Sequence, residues 1–535
     1  MSVRPALFSR VVFACVVFAC SGAVQAQAPS FDERPTGFLT QKTGGMQPDA
    51  WQGTSLAQAK RLVAALPAAP RSRALRDLQF KLMVSELTPP APDNSPPPSL
   101  FARKVERLAA MGEGESLNEM VRASGGYADP AVAAIDVNAL MMVGERDAAC
   151  AALKNSALTG LFATRAAVTC QLVAGDNAGA LADVAALRAR DAGFAAMVQA
   201  AAGSTAPVAA PRGEVDGPAM ALMALAHIVP PATLYRSDQP LVIRSLVGQR
   251  TLPIATRLDI AERGEALAVI EATRLSELYV EAVKGGVVLP PAMARRAQLV
   301  FAVRNAANPK EIMASIAAVY SESRGPMFPT VARASAVGLL SLPPKPEYAD
   351  VAQEAIRGFL LLGDKQLTQA WTKLALKAAY NSARALNALD RLIPLVAVAG
   401  IDDPHHLPAE EINRWYELMR QDDAKGAPLR GYLMLQLLRS SGIDVPAGTT
   451  DLPEAPPPGV RLVSPPAATM QALQAAGAAH RRAEAALLAS AAIAETSLAD
   501  LHPAAVAAIV RALIAAGEDQ AGRLFAIEVA IARGL

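Results

Sequence analysis

Residues 143–187, VGERDAACAALKNSALTGLFATRAAVTCQLVAGDNAGALADVAAL, constrain the possible fold more than any other stretch of this 535-residue chain. Alanine and leucine dominate the stretch, both favour helix, and small or apolar residues recur at the three- and four-residue steps of one helix face. Gly144 and Gly175 each follow an apolar run and precede an acidic residue. Glycine can end a helix in the left-handed conformation, and an acid suits the positive end of the next helix. The stretch therefore predicts two consecutive αα-hairpins.

The same pattern of apolar run, glycine and acid recurs along the chain. It is found at Gly112-Glu113, Gly264-Glu265, Gly363-Asp364 and Gly517-Glu518. The first three glycines of the whole series, at 112, 144 and 175, are spaced close to the roughly 34-residue period of helix–turn–helix repeats. An Ala-rich helical chain also produces such turns in irregular hairpins, without a true repeat. Segments that alternate β-branched and polar residues are few, so strands should be scarce in either case.

Over Lys104–Arg190 these hairpins resemble tetratricopeptide-like αα repeats. The aromatic positions of that pattern are mostly missing, in keeping with a chain of which only 4% is aromatic. The resemblance implies stacked hairpins with a concave binding face, but it indicates no partner. The predicted fold is therefore all-α, with αα-hairpin repeats forming a superhelical solenoid that is interrupted by Pro-rich linkers.

Segments rich in proline, glycine and polar residues separate the helical regions. The clearest is Thr88–Ser99, TPPAPDNSPPPS, whose prolines favour an extended, semi-rigid chain. The predicted organisation is a secretory signal peptide at 1–28, N-terminal helices and a Pro-rich linker at 29–99, a helical repeat domain at 100–202, a linker at 203–217, a central helical repeat domain at 218–441, a Pro-rich linker at 442–467 and C-terminal helical hairpins at 468–535.

The N-terminus has the features of an export signal. Two arginines precede the short apolar run Val11–Cys20, and small residues follow at Ala26 and Ala28. This pattern predicts a signal peptide cleaved near Ala26 or Ala28, and hence a periplasmic or secreted mature chain. A lipoprotein anchored at Cys20 is the alternative, because Val17–Cys20 loosely resembles a lipobox. No transmembrane segment is predicted in the mature chain.

Two of the four cysteines, Cys150 and Cys170, remain after removal of the predicted signal. They lie at nearly equal distances from the predicted turn at Lys154–Gly160, so two packed helices would bring them side by side. In an oxidising compartment this arrangement predicts a disulfide bond between them. The alternative is a pair of buried free thiols.

Three short motifs resemble those of the lytic transglycosylases, enzymes that cleave peptidoglycan. They are Glu322-Ser323, Gly338-Leu339-Leu340 and Ala379-Tyr380-Asn381, in the order of that family's Glu-Ser, Gly-Leu-Met-Gln and Ala-Tyr-Asn-Ala-Gly motifs. The resemblance implies that Glu322 is the catalytic acid and base, and that Tyr380 holds the sugar or the Glu. The chain departs from the family where Leu340-Ser341 replaces Met-Gln and Ser382-Ala383 replaces Ala-Gly. The alternative is that Glu322 is a solvated residue at a helix end.

Two imidazoles and two carboxylates form a candidate metal site. They are Asp402, Asp403, His405 and His406. Such groups can bind zinc or another divalent ion. The alternative is a turn that enters a helix, with Pro408 at the first helical position and Glu410 and Glu411 in the first turn. No cofactor is predicted from the remainder of the sequence.

The basic residues Arg71, Arg73, Arg76 and Lys81 form a stripe ahead of the first Pro-rich segment. The stripe is interpreted as a solvated helix face, and the alternative is a contact with an acidic partner or with anionic lipid. The whole chain carries 51 basic and 49 acidic residues, for a formal net charge of +2. This balance predicts no broad basic face, so nucleic acid is not expected as a partner.

An exported helical repeat exposes a long concave surface, and such surfaces usually bind protein segments. The first functional hypothesis is therefore a non-enzymatic scaffold or adaptor that binds protein partners in the cell envelope. The second is a peptidoglycan-cleaving enzyme of the lytic-transglycosylase type, active or degenerate. The third is a soluble periplasmic binder that takes its ligand in a groove between hairpins.

Overall fold

The computed structural model describes residues 31–205, 208–211, 215–323, 325–401, 407–446, 449 and 452–535. Within these ranges the chain forms 28 α-helices and six short 3-10 helices, and its extended pairing is limited to three isolated β-bridges. The predicted all-α class is confirmed, and the arrangement is compatible with a helical-repeat fold.

The helices are numbered in chain order. The first fourteen are α1 (Leu56–Ala64), α2 (Arg73–Val84), α3 (Leu100–Ala110), α4 (Gly114–Ser124), α5 (Pro130–Val143), α6 (Arg146–Lys154), α7 (Gly160–Val173), α8 (Asn177–Ala182), α9 (Val184–Arg190), α10 (Ala192–Ala201), α11 (Gly217–Leu225), α12 (Pro240–Gly248), α13 (Ile254–Ala266) and α14 (Ala272–Lys284). The others are α15 (Pro291–Asn305), α16 (Pro309–Glu322), α17 (Phe328–Ala334), α18 (Ala336–Leu340), α19 (Ala352–Leu362), α20 (Lys365–Ala379), α21 (Ala383–Asp390), α22 (Ile393–Val398), α23 (Ala409–Asp422), α24 (Ala427–Ser440), α25 (Ala467–Ala478), α26 (Arg482–Ile493), α27 (Pro503–Ala515) and α28 (Asp519–Ala532).

Most of the glycines that predict hairpin turns do end helices. Gly144 caps α5 with a φ of +93°, and Gly363 caps α19 with a φ of +69°. A residue with a Cβ is strained in this left-handed conformation, which explains why glycine stands there. Consecutive helices then pack against one another, as in the pairs α5 and α6, α19 and α20, and α27 and α28.

Gly264 is the exception, and the turn predicted there is wrong. It lies inside α13, where a Cβ would come within 2.5 Å of Ile270 and 2.7 Å of Ile243. Glycine is needed at this position for close packing, and helix α13 continues to Ala266. Glu265 is consequently a buried residue of α13 and does not begin the next helix.

The first two helices of the chain pack against the last ones. Helix α2 contacts α26 and α28, and it also contacts α3 and α4. Ahead of α1, the backbone N–H of Ala483 donates to the carbonyl of Ala50 at 3.0 Å, and the Thr54 hydroxyl donates to Glu484 at 3.3 Å. One hydrophobic core extends from Met46 to Leu535. The two ends of the described chain are therefore joined, with α2 at the junction.

The Pro-rich segments are tied to the helices. In the first of them, Asp93 accepts a hydrogen bond from the backbone N–H of Ala57, in the first turn of α1, at 2.9 Å. In the last of them, the backbone N–H of Val463 donates to Asp500 and its carbonyl accepts from His502, both at 2.8 Å. The described parts of these segments are therefore hydrogen-bonded to parts of the chain other than the helices that they connect.

Cys150 on α6 and Cys170 on α7 form the predicted disulfide bond. The two sulfurs are 2.02 Å apart and the two Cα atoms 5.6 Å apart. Around the bond, α5, α6, α7 and α11 enclose a small second core that includes Val137, Ala149 and Ala166. The disulfide therefore joins α6, whose buried apolar residues belong to this small core, to α7, whose Val168 and Leu172 belong to the main core.

The predicted signal peptide, its cleavage positions near Ala26 and Ala28 and the alternative anchor at Cys20 lie outside the described residues. The charge-free stretch Gly217–Tyr235 forms α11 followed by a 3-10 helix at Ala232–Arg236. Among the helices that the structure describes, none combines the length and the apolar character needed to cross a membrane.

Candidate functional site

Glu322 and Tyr380, the predicted catalytic pair, lie at the ends of different helices. Glu322 is the last residue of α16, and its carboxylate accepts two hydrogen bonds from Arg295 at 2.6 and 2.7 Å. Tyr380 caps α20 with 87% of its surface exposed. Neither residue lines the two clefts described below, and the catalytic role of the pair stays a prediction.

The predicted metal residues Asp402, Asp403, His405 and His406 lie outside the described residues. Downstream of them, α23 begins at Ala409 with Pro408 as its N-cap and with Glu410 and Glu411 in its first turn. In the part of the chain that the structure describes, no group of three or more His, Cys, Asp or Glu side chains is placed to hold a metal ion.

One member of the basic stripe, Arg76, is buried, so the predicted solvated face is wrong for that residue. Only 2% of Arg76 is exposed. Its guanidinium donates to the carbonyls of Ala268 at 2.8 Å and Met111 at 2.9 Å, and to the carboxylate of Glu113 at 2.5 Å. Of the three arginines in the stripe, Arg71 alone is exposed. The stripe therefore connects α2 to segments that are distant in the sequence.

Glu265 is the carboxylate that pairs with Arg73 of the stripe. It is fully buried, and it accepts two hydrogen bonds from Arg333 at 2.6 and 2.9 Å. Arg73 donates a third hydrogen bond to it at 3.0 Å. We refer to Arg73, Arg76, Glu113, Glu265 and Arg333 as the ionic hub. A buried carboxylate with two guanidiniums is stable only while every member is paired.

A second carboxylate, Glu528 on α28, meets the start of α2. It accepts hydrogen bonds from the Ser72 hydroxyl at 2.5 Å and from the backbone N–H of Ala74 at 2.9 Å. Burial raises the pKa of Glu528 above its usual value, although these two hydrogen bonds oppose the rise. Because free N–H groups at the start of a helix bind anions, Glu528 helps to fix α2 against α28.

A cleft of about 390 Å³ opens beside this junction. It lies between the start of α2, residues 325–333, residues 495–499 and α28, and we call it the hub cleft. Its charged lining residues are Arg71, Arg73, Arg333, Glu495 and Glu528. The cleft exists only because the two ends of the chain pack together.

A second cleft of about 540 Å³ lies between α16, α19, α20 and α21. Alanines dominate its walls, so we call it the alanine groove. They are Ala314, Ala317, Ala349, Ala352, Ala375, Ala378, Ala385 and Ala388. The groove continues along α21 into a neighbouring depression of about 510 Å³, which shares Gln353, Arg384 and Ala388 with it.

Two basic side chains lie at the alanine groove. Lys310 and Arg384 line it, are exposed, and form no salt bridge with any described residue. Two carboxylates line it as well. Asp350 is exposed, and the pKa of Glu354 is raised by burial, although a backbone hydrogen bond and the nearby guanidiniums of Arg357 and Arg384 oppose the rise. The lining of the groove therefore carries charges of both signs, and the excess of positive charge lies along residues 365–391.

Asp136 carries the most perturbed carboxylate away from both clefts. It is fully buried on α5, where Asn118 and the Tyr127 hydroxyl donate to its Oδ2 at 2.8 and 3.0 Å. Burial raises the pKa of Asp136 to about 6, although the two hydrogen bonds oppose the rise. The pKa of Tyr127 is raised as well, chiefly because its hydroxyl is buried and secondly because the charge of Asp136 is close to it.

This pKa predicts that stability falls as the pH rises from about 4 to about 6. Unfolded Asp136 loses its proton near pH 4, whereas the folded residue keeps it up to a pH of about 6. The folded state therefore loses roughly 2–3 kcal/mol relative to the unfolded state over that interval. The free energy of unfolding in urea is measured for wild type and for Asp136→Asn at pH 4 and at pH 7. Wild type should be less stable at pH 7 than at pH 4 by this amount, whereas the variant should not show the loss. Equal losses in both proteins would contradict the assignment.

Sequence reasoning missed Glu265, although its sequence position carries a usable signal. Leu258 and Ala261 precede it on the same face of α13 at three- and four-residue steps, and both are fully buried. An acid in register with such a face is expected to be buried and paired. The partners themselves were not predictable, because Arg73 lies 192 residues away and Arg333 lies 68 residues away.

Comparison with known protein families, curated proteins and solved structures finds no match to this chain.

Proposed function

We propose that this chain is an exported, non-enzymatic scaffold of the tetratricopeptide-like kind, which binds an acidic, extended segment of a partner protein in the alanine groove. The sequence pattern at residues 1–28 supports export to the cell envelope. The single observation that carries the binding proposal is the coincidence of a long, alanine-lined groove with the exposed basic side chains of the α20–α21 hairpin, which forms one of its walls.

The groove favours an extended polypeptide. Alanine side chains reach only one carbon from the backbone, so a bound main chain can approach the helices closely. The groove also continues into the adjoining depression along α21, which gives it the length that an extended segment needs. Helical repeats present such elongated surfaces along their stacked hairpins.

The charge of the α20–α21 hairpin favours an acidic segment. Residues 365–391 contain five basic side chains, whereas Asp390 is their one acid. Asp390 is buried and paired with Arg414, so it does not neutralise the surface. Lys373, Lys377 and Arg384 are exposed on a chain whose overall charge is close to zero. Complementary charge directs partner choice and association rate.

The same hairpin also exposes apolar side chains. Leu376 is 43% exposed, Tyr380 is 87% exposed and Leu386 is 37% exposed. Apolar surface beside a polar rim is typical of protein interaction sites, and tyrosine is enriched among the residues that contribute most to binding. A partner segment with acidic and apolar residues would satisfy both features.

The test is capture of partners from envelope extract by the mature chain, Gln27 onward, after mild crosslinking. Reversing both rim charges, with Lys310→Glu and Arg384→Glu, is expected to weaken the dominant complex about tenfold, which corresponds to about 1.4 kcal/mol. Binding by wild type should also weaken as salt is raised, because rim charges are screened.

The matched control carries Lys284→Glu and Arg461→Glu. These two basic residues are also exposed and form no salt bridge with any described residue, but they lie outside the groove. The control should bind as wild type does. Equal capture by the groove variant and by the control would refute the proposal. Retention on isolated cell-wall sacculi without any protein partner would refute it as well, and would favour peptidoglycan as the ligand.

A further inference from the structure

The hub cleft has the properties of a small-molecule site, independent of the alanine groove. Its volume of about 390 Å³ lies within the range of pockets that bury small ligands. Six segments that are separated in the sequence line it, so its shape is fixed by the packing of the whole chain. Pro326, Pro329, Leu361 and Leu498 give it apolar walls.

Most of the charge inside the cleft is already paired. Arg73 and Arg333 donate to Glu265, and Glu528 accepts from Ser72 and Ala74. These hydrogen bonds hold the walls of the cleft together, and the Nε of Arg73 alone among the groups named here is buried without a partner.

Two opposite charges at the cleft have no such partners. Arg71 and Glu495 both line it and are both exposed. Neither forms a salt bridge with any described residue, and they form none with each other, so more than 4.0 Å separates their charged atoms. The cleft therefore offers an unpaired guanidinium and an unpaired carboxylate to a ligand that carries both opposite charges.

We propose that the hub cleft binds a small zwitterion, an amino acid or a short peptide with free ends. Its carboxylate pairs with Arg71, its ammonium group pairs with Glu495, and its side chain lies against the apolar walls. Guanidinium and carboxylate ions form strong charge-assisted hydrogen bonds in such pairs. The proposal is separate from the binding of a protein segment in the alanine groove and does not depend on it.

Calorimetric titration of the mature chain with matched probes tests this proposal. Leucine and leucyl-leucine carry both charges, whereas 4-methylpentanoate lacks the ammonium group and isoamylamine lacks the carboxylate. At least one zwitterion should show saturable binding below about 10 mM, and each single-charge probe should bind at least tenfold more weakly. Absence of zwitterion binding, or equal binding by a single-charge probe, would overturn the proposal.

Two variants locate the site. Arg71→Gln and Glu495→Gln are each expected to weaken zwitterion binding at least tenfold, while Arg461→Gln, which changes an exposed arginine outside the cleft, should leave it unchanged. Because Arg71 and Glu495 are exposed and unpaired, both variants should fold, and unchanged circular dichroism checks this. Binding that survives in both variants would place the ligand elsewhere and would refute the assignment.

Discussion

Substitution of Glu265 by alanine is expected to lower the free energy of unfolding by about 3–5 kcal/mol. The physical reason is the loss of a fully buried carboxylate that pairs with Arg333 and Arg73. Both guanidiniums would remain charged near the junction of α2, α13 and α17 without their shared partner. Urea or thermal unfolding followed by circular dichroism measures the effect.

Glu322→Ala is the matched control, because it also removes a carboxylate that accepts two hydrogen bonds from one arginine. That pair is exposed, with 54% of the Arg295 side chain and 40% of the Glu322 side chain accessible. Exposed ion pairs contribute about 0–1 kcal/mol, so the control should unfold almost as wild type does. Similar unfolding of the two variants would show that the ionic hub is not important for stability.

Removal of the disulfide by Cys150→Ser and Cys170→Ser together is expected to cost roughly 3 kcal/mol of local stability. The bond closes a loop of 20 residues and joins α6 to α7. Because α6 buries its apolar residues only in the small second core, it should open before the remainder of the protein. Hydrogen exchange over residues 146–173 measures this opening.

A reductant supplies the control for the disulfide prediction. Reduced wild type should show the same faster exchange as the double variant, and the reductant should have no effect on the variant itself. Exchange over residues 146–173 that is equally slow in oxidised and reduced wild type would contradict the prediction.

The features that sequence patterns predicted are those that depend on neighbouring residues. Helical periodicity and left-handed glycine caps act within one or two turns, so Gly144 and Gly363 marked real helix ends. The disulfide was predictable for the same reason, since one short turn separates its two helices. The turn predicted at Gly264 was wrong, because a glycine required for close packing against Ile243 and Ile270 has the same local sequence pattern as a glycine that ends a helix.

The ionic hub and the two clefts depend on packing between distant segments. Arg73 and Arg76 look like an ordinary solvated stripe until α13, α17 and α28 cover them. The alanine groove is equally hidden, because an alanine-rich helix has the same composition whether it lines a groove or fills a core. Local periodicity carries no information on which helices will meet.

The junction of the two chain ends also sets an order of events during synthesis. A chain emerges from its N-terminus, so α1 and α2 are complete while most of their partners do not yet exist. Ser72 must wait for Glu528, 456 residues later, and Thr54 must wait for Glu484, 430 residues later. Contacts between residues this far apart in the sequence form slowly, because the entropy cost of closing a long loop precedes the stabilisation that the contacts provide. Helices α1 and α2 of the nascent chain therefore meet α3 and α4 early, but they stay without α26 and α28 until nearly the whole polypeptide has been made.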